Sequence, residues 1–382
     1  MGVYERLGVR TIINARGCQT LIGGSIMPRE VLEAMAEASQ HFVDITELNR
    51  KVGEIIARVT GAEAGYVTAG AAAGILLATA ALMTGKDPAK IRQLPDTTGM
   101  KNEVIVHRSQ RHGYDHEVTA AGARLVEIGH AYRTHPWELE AAINERTAGV
   151  FFTVSPLHRH GFLPLSEVIR IAHARGVPVY VDAASMLPPA SNLQKFISMG
   201  ADLVIFSGGK GIMGPQSTGI LAGRRDLIEA AALNGSPYQG AIGRAAKVCR
   251  EEMVGLAVAL ELYVQRDHAA DQARWRRQAE HVANAVAALE LPGVHAAVVF
   301  DEEEDQLPEA HITIREKVLG ISAKQVEEEL YTGEPCIATG FSLSPRTVVI
   351  NPHMLKDGEE EIVARRLVEV LSKAALLAVR KA

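Results

Sequence analysis

Short apolar runs recur through the middle of the chain, and between them apolar positions return with helical spacing. The runs Ala64–Val67, Glu103–His107, Arg124–Ile128, Val150–Val154, Val177–Val181, Leu203–Phe206 and Gly219–Ala222 read as strands. The intervening stretches 71–84, 114–121, 136–143, 166–175 and 192–199 read as helices. Strands that stay apolar on both faces belong to a sheet covered on both sides. The alternation therefore predicts an α/β fold with a mostly parallel seven-stranded sheet flanked by helices.

Before this region, residues 1–50 look like an arm, with one helix opening at Pro28 and a second running over Leu48–Val59. The large domain is expected over 51–242 and a linking helix over 243–270. A smaller α+β domain is expected over 271–382. The long helical patterns are Ala245–Val264 and Asp271–Leu289. Later strands are read at Val294–Phe300, His311–Arg315 and Thr347–Ile350, and helices at Ala323–Tyr331 and Glu359–Arg380. The acidic run Asp301–Asp305 reads as a solvated turn.

Composition narrows the functional classes. Among 382 residues, 40 Lys and Arg face 45 Asp and Glu, for a net charge of −5. No basic block stands out, which argues against a nucleic-acid partner. The three cysteines, Cys18, Cys249 and Cys336, are scattered and odd in number, as in a reducing cytoplasm rather than a disulfide framework. The N-terminus has no apolar signal core, and the longest apolar stretch, Ala71 to Met83, is too short to span a bilayer. The reading is a cytoplasmic protein with no membrane partner.

The chemistry gathers where strands end. Leu203–Phe206 runs into Ser207-Gly208-Gly209-Lys210-Gly211, whose glycines leave room for another group to approach the backbone beside Lys210, and Val177–Val181 ends on Asp182. Open parallel sheets bind ligands beyond the carboxyl ends of their strands. A lysine and an acid at two such ends suggest a pyridoxal phosphate (PLP) site, the lysine as Schiff-base former and the acid paired with the pyridinium nitrogen. Gly70-Ala71-Ala72-Ala73-Gly74 opens a helix after a strand. Its small residues would seat a phosphate on Ala71 and Ala72, or else allow tight helix–sheet packing. With Lys210 and Asp182 in the same region, the phosphate reading is favoured. Ser207 would add a hydroxyl to that phosphate, or serve as a turn serine. His112 would stack on a flat cofactor, with Tyr114 as its competitor for that role.

Three other patterns carry possible chemistry. His158-Arg159-His160 lies in a loop with no third ligand near it, so no metal is expected, and substrate contact at the mouth of the site is preferred. Gly209-Lys210-Gly211-Ile212-Met213-Gly214 matches a dinucleotide fingerprint, the rival reading of a nicotinamide-dependent dehydrogenase. Pro215 and the strand from Gly219 leave no helix on those glycines. Arg346, ahead of the strand Thr347–Ile350, could clamp a substrate carboxylate or be a plain surface arginine.

The strings VPVYVDAAS, ADLVIFSGGKGIMGPQSTGIL and GRAAKVCREEM resemble the fold-type I PLP enzymes related to bacterial selenocysteine synthase. INARGCQTLIGGSIMP, TGAEAGYVTAGAAAG and VIVHRSQRHGYDHEVTAAGARLVEIG extend the resemblance from the arm to about residue 265, nearest the D-glucosaminate-6-phosphate ammonia-lyase branch. The resemblance implies Lys210 as Schiff-base lysine, Asp182 as pyridinium partner, Ala71, Ala72 and Ser207 as phosphate contacts, and His112 as the stacking ring. It implies a site at a homodimer interface, with Gly240 on a turn that reaches the neighbour's phosphate, and rings of dimers among relatives. Arg16, Gln19, Thr20, His158, His160 and Arg346 are the expected substrate contacts. The tRNA-acting relatives carry an extra N-terminal helical domain for which this chain has no room, so a small amino acid substrate is expected. The expected activity is a lyase performing α,β-elimination, with ammonia released to a 2-oxo acid, on a β-hydroxy or sugar-derived amino acid such as D-glucosaminate 6-phosphate. The same residues would also serve an aldolase, a racemase or a β-replacement transferase. A non-catalytic protein that keeps the fold is the alternative outside enzymes, and the joint presence of Lys210 and Asp182 argues against it.

Overall fold

The structure is a computed structural model that describes residues 2–155, 160–300 and 307–381. His158 and the acidic run 301–305 lie outside the described residues. β1 is Ile13–Ala15. The middle of the chain supplies β2 (Ala64–Thr68), β3 (Glu103–His107), β4 (Arg124–Ile128), β5 (Thr147–Thr153), β6 (Val179–Asp182), β7 (Leu203–Ser207) and β8 (Gly219–Gly223). The C-terminal part supplies β9 (Val294–Val299), β10 (Glu309–Ile314), β11 (Ile337–Thr339) and β12 (Thr347–Ile350).

The chain divides into two compact units, residues 26–266 and residues 1–25 with 267–382. The larger unit holds a seven-stranded sheet in the order β2-β8-β7-β6-β5-β3-β4. Only β8 runs against its neighbours. β2 lies antiparallel to β8 and so points the same way as β7. The carboxyl ends of β2, β3, β5, β6 and β7 therefore share one edge, to which each candidate strand end leads.

Side chains along a strand alternate between faces, and both faces here are apolar. Ile105, Val179, Val181, Val204 and Phe206 pack into one core, while Val104, Val106, Tyr180, Leu203 and Ile205 pack into the other. This double burial explains why the strands were readable as unbroken apolar runs. The helix Gly70–Thr84 is apolar around most of its surface because it is largely enclosed. Gly74 lets it approach the sheet, since a methyl there would lie 2.9 Å from Ile205 Cγ2.

The smaller unit has an antiparallel sheet in the order β12-β10-β9 and a parallel pair, β1 with β11. Val282, Val286, Ile312, Val348, Leu367 and Leu371 belong to its core. The helix read as starting at Ala245 begins at Arg250, after a 3-10 turn over Ile242–Ala245. Its start is fixed by Glu252, whose carboxylate accepts from Cys249 N at 3.1 Å. Residues 26–50 fall in the larger unit with the sheet, and residues 1–25 in the smaller one. No helix among the described residues is long and apolar enough to cross a membrane.

Candidate active site

Register across the sheet sets the site. Thr153 on β5 pairs with Asp182 on β6, and Asp182 pairs with Ile205 on β7. Val154 N donates to Asp182 O at 2.9 Å, which extends the pairing to the strand tips. Further along the edge, Ser207 and Thr68 face the same β8 residue, Gly219. At the ordinary strand spacing, Thr68 and Ser207 are thus about 10 Å apart.

Asp182 is 6% exposed. Ala184 N donates to its Oδ1 at 3.0 Å. Burial pushes its carboxyl above the usual carboxylate range, and the Ala184 amide and the charges of His112 and Lys210 pull the other way. A buried acid that feels both groups places Lys210 and His112 in one electrostatic neighbourhood with it.

Lys210 is half-buried on the turn after β7. Met213 N donates to its carbonyl at 2.9 Å, and Gly208 is tied to Thr218 O at 2.9 Å and to Gly214 N at 2.9 Å. The glycines were read as room for a ligand. The structure fills that room with the protein itself: side chains at Gly208, Gly209 and Gly211 would collide with Thr218, Gln216 and Leu187. They are required by the folding of the turn that carries Lys210. After Gly214 the chain continues through a turn into β8 with no helix. The dinucleotide fingerprint therefore lacks the helix that would bind a pyrophosphate.

At the β2 end, Gly70 takes a left-handed φ of 74° and starts the helix. Thr68 Oγ1 donates to Gly70 O at 2.8 Å and pins this turn. Ala71 and Ala72 are half-buried in the first turn, which carries no acidic residue. Gly74 takes up the close packing on the sheet. The first-turn amides and Ser207 lie on the same edge as Lys210, a donor set suited to an anion.

His112 follows β3. Its Nε2 lies 2.9 Å from Thr153 Oγ1, and Tyr114 N donates to its Nδ1 at 3.2 Å. Tyr114 is exposed, with its ring 5.8 Å from that of His112 at 65°. Thr153, Gln110 and Asp115 were not singled out in the sequence. Gln110 Nε2 donates to Thr153 O at 2.9 Å, and Asp115 Oδ2 accepts from His112 N at 3.1 Å and pairs with Arg111. A polar residue on either side of His112 was the available signal, but the partners come from the fold.

The remaining candidates divide between the two units. His160 is exposed and stacks on Tyr132, with centroids 6.3 Å apart and planes 5° from parallel. Gly240 is exposed on a turn, at φ 80°, against Arg92, whose Nη1 donates to Gln239 O at 3.3 Å. Arg16, Thr20 and Arg346 belong to the smaller unit. Arg16 Nε donates to Gln19 Oε1 at 2.6 Å, and its charge lowers the Glu327 carboxyl against the rise from burial. Thr20 opens the 3-10 turn Thr20–Ile22. Arg346 is exposed, and its carbonyl accepts from Ile314 N at 2.8 Å.

A family model described as SelA, L-seryl-tRNA selenium transferase, matches residues 12–276. A D-glucosaminate-6-phosphate ammonia lyase of Salmonella typhimurium is 36% identical over 98% of this chain and 99% of its own. A 5'-C-glycyluridine monooxygenase-decarboxylase of a Streptomyces species is 32% identical over 96% of this chain and 92% of its own. A solved structure of D-glucosaminate-6-phosphate ammonia-lyase superposes with a TM-score of 0.84 at 34% identity, covering 98% of this chain and 99% of that one.

Proposed function

Because this chain belongs to the SelA, or L-seryl-tRNA selenium transferase, family, we propose that it is a PLP-dependent lyase of the ammonia-lyase type. The observation that carries the reading is the buried acid, Asp182, whose carboxyl is raised by burial and lowered by the charges of Lys210 and His112. A carboxylate kept at a strand tip at such cost fits a cationic ring nitrogen. Small first-turn residues without an acid fit the phosphate. The residues present therefore fit the cofactor.

In this reading Asp182 would keep the proton on the ring nitrogen, Ala71, Ala72 and Ser207 would hold the phosphate, and His112 would stack on the ring. When bound, PLP supplies an electron sink for negative charge at the substrate α carbon. Lys210 Nζ takes the α proton, for which its amine must be neutral. The β-hydroxyl then leaves as water, taking up the proton that Lys210 had accepted. Hydrolysis of the dehydrated product regains that water, so the net change converts a β-hydroxy amino acid into a 2-oxo acid and ammonia. The substrate class is a β-hydroxy or sugar-derived amino acid, with D-glucosaminate 6-phosphate the first to try. Arg16, Thr20, His160 and Arg346 are the proposed contacts with it. The active form is proposed to be at least a cytoplasmic homodimer, with Gly240 reaching the neighbour's phosphate, and light scattering measures its size.

The test is the absorbance of purified protein after PLP addition, followed by ammonia release from D- and L-β-hydroxy amino acids and D-glucosaminate 6-phosphate. Lys210→Ala is expected to lose both the visible-edge band and the turnover. A variant that keeps both would refute the role of Lys210. The Streptomyces relative favours a second reading, an oxygen-using decarboxylase on the same cofactor. Oxygen uptake with carbon dioxide release, in place of ammonia, would select it.

A further inference from the structure

The His112 imidazole is engaged at both nitrogens. A backbone N–H has only one role, so the Tyr114 amide at 3.2 Å from Nδ1 finds a lone pair there. In the neutral ring Nε2 then carries the hydrogen and donates it to Thr153 Oγ1 at 2.9 Å. Of the described rings near it, Phe151 at 6.2 Å and 56° and Tyr114 at 5.8 Å and 65° do not lie flat against it. The backbone is held separately, by Asp115 Oδ2 on His112 N.

Thr153 itself is rigidly placed. It ends β5, is 6% exposed, and pairs in register with Asp182. Its carbonyl accepts from Gln110 Nε2, on a side chain with no exposure. One residue thus joins the strand tip bearing the acid to the ring expected over the cofactor.

We propose that Thr153 is a positioning residue whose hydroxyl, accepting from Nε2–H, fixes the plane of His112, while the Tyr114 amide sets the tautomer. The proposal rests on the cofactor reading only for its purpose, since the hydrogen bond exists without PLP. Thr153→Val keeps the branched shape and removes the acceptor, whereas Thr153→Ser keeps the hydroxyl. The first readout is imidazole nitrogen NMR of histidine-labelled apoprotein, with His112→Asn identifying the signals. All three proteins are expected to show the Nε2–H form, with an Nε2–H proton that exchanges slowly with solvent in wild type and Thr153→Ser and faster in Thr153→Val, which lacks the acceptor. The second readout is the PLP-loaded protein. Thr153→Val is expected to lose much of the induced circular dichroism and to bind PLP about fivefold more weakly, the worth of one hydrogen bond. Thr153→Ser should match wild type in both. Should the valine variant not fold, Thr153→Ala makes the same comparison. An Nε2–H proton that exchanges no faster in Thr153→Val overturns the proposal, as does a serine variant that behaves like valine. If the exchange responds but wild type takes up no PLP, the positioning role stands and the cofactor reading falls.

Discussion

Gly219→Ala tests whether the sheet edge is built as described. Gly219 opens β8 and pairs with Thr68 on one side and Ser207 on the other. A methyl there would lie 2.5 Å from the Gly70 carbonyl carbon, 2.6 Å from its oxygen and 2.7 Å from Thr68 Oγ1. Two of these are backbone atoms of the first residue of the helix Gly70–Thr84, so no rotamer change relieves them. Ordinary carbon contacts need about 3.5 Å, so the helix start must move by roughly 1 Å. Overpacking of this kind costs about 1–3 kcal/mol, offset by about 0.4–1 kcal/mol from the stiffer unfolded chain. A net loss of about 1–2 kcal/mol lowers Tm by roughly 2–8 °C for a unit of this size. The same shift stretches the amides of Ala71 and Ala72 away from a phosphate. Loss of one charge-assisted hydrogen bond, about 1.5–3 kcal/mol, weakens PLP binding roughly 10–100-fold. Thermal melting of the apoprotein reads the first effect, and absorbance titration with PLP the second. Gly113→Ala is the melting control, because a methyl there meets nothing within 4 Å. A Gly219→Ala protein that melts with wild type and binds PLP equally well refutes both the close approach and the phosphate site.

Three further outcomes are expected. Asp182→Asn should lower kcat roughly 10–100-fold through loss of one charge-assisted bond. Because burial raises the Asp182 carboxyl, its charge costs stability that grows as pH rises through the raised value. The asparagine apoprotein should therefore melt no lower than wild type at neutral pH, which a melting curve checks. His107 is fully buried, accepts from Leu163 N at 3.3 Å, and is pushed by burial from 6.5 down to about 4. Between those values the unfolded chain binds the proton first, so stability should fall by about 3 kcal/mol as pH drops across the window. His107→Gln should flatten that part of a denaturation-versus-pH curve. Cys249 is exposed, yet burial of its thiol pushes it from 9.0 to about 11. At mildly alkaline pH its thiolate is suppressed roughly 100-fold, so peptide mapping after alkylation should find it slower than an ordinary thiol.

The strands were legible because both sheet faces are buried, so β3 and β7 carry almost nothing polar before their tips. Asp182 and Lys210 were legible for the converse reason, as charges where an apolar run stops. Pairing between β1 and β11 was not, because three residues carry no period and Ile13 meets Ile337 only in the fold. The start of the helix at Arg250 escaped a reading by apolar spacing, since Glu252 reaching back to Cys249 N decides it. The glycines around Lys210 looked like space for a ligand because sequence cannot tell which backbone will fill the space. Thr153 looked like one more strand residue, and its importance comes from register with Asp182 and from a loop that folds back from β3.

The carboxyl edge separates what this fold must keep from what it can vary. Asp182 and Thr153 are held by ladder pairing, and Gly219 and the turn bearing Lys210 by close backbone contact, so the backbone that carries the chemistry is part of the sheet edge itself. His160 and Tyr132 are exposed and stack on each other. Related enzymes named for ammonia release and for oxygen-dependent decarboxylation keep most of the length of this chain. In the PLP reading proposed above, the electron sink would be common to both reactions, and the grip on the remaining groups of the substrate would choose the bond that breaks. The residues that choose the reaction are therefore expected among exposed loop side chains, where substitution costs little stability. A His160→Ala protein should then melt within about 1 °C of wild type and take up PLP normally while its substrate preference changes. A change in PLP uptake equal to the change in preference would place His160 with the cofactor instead.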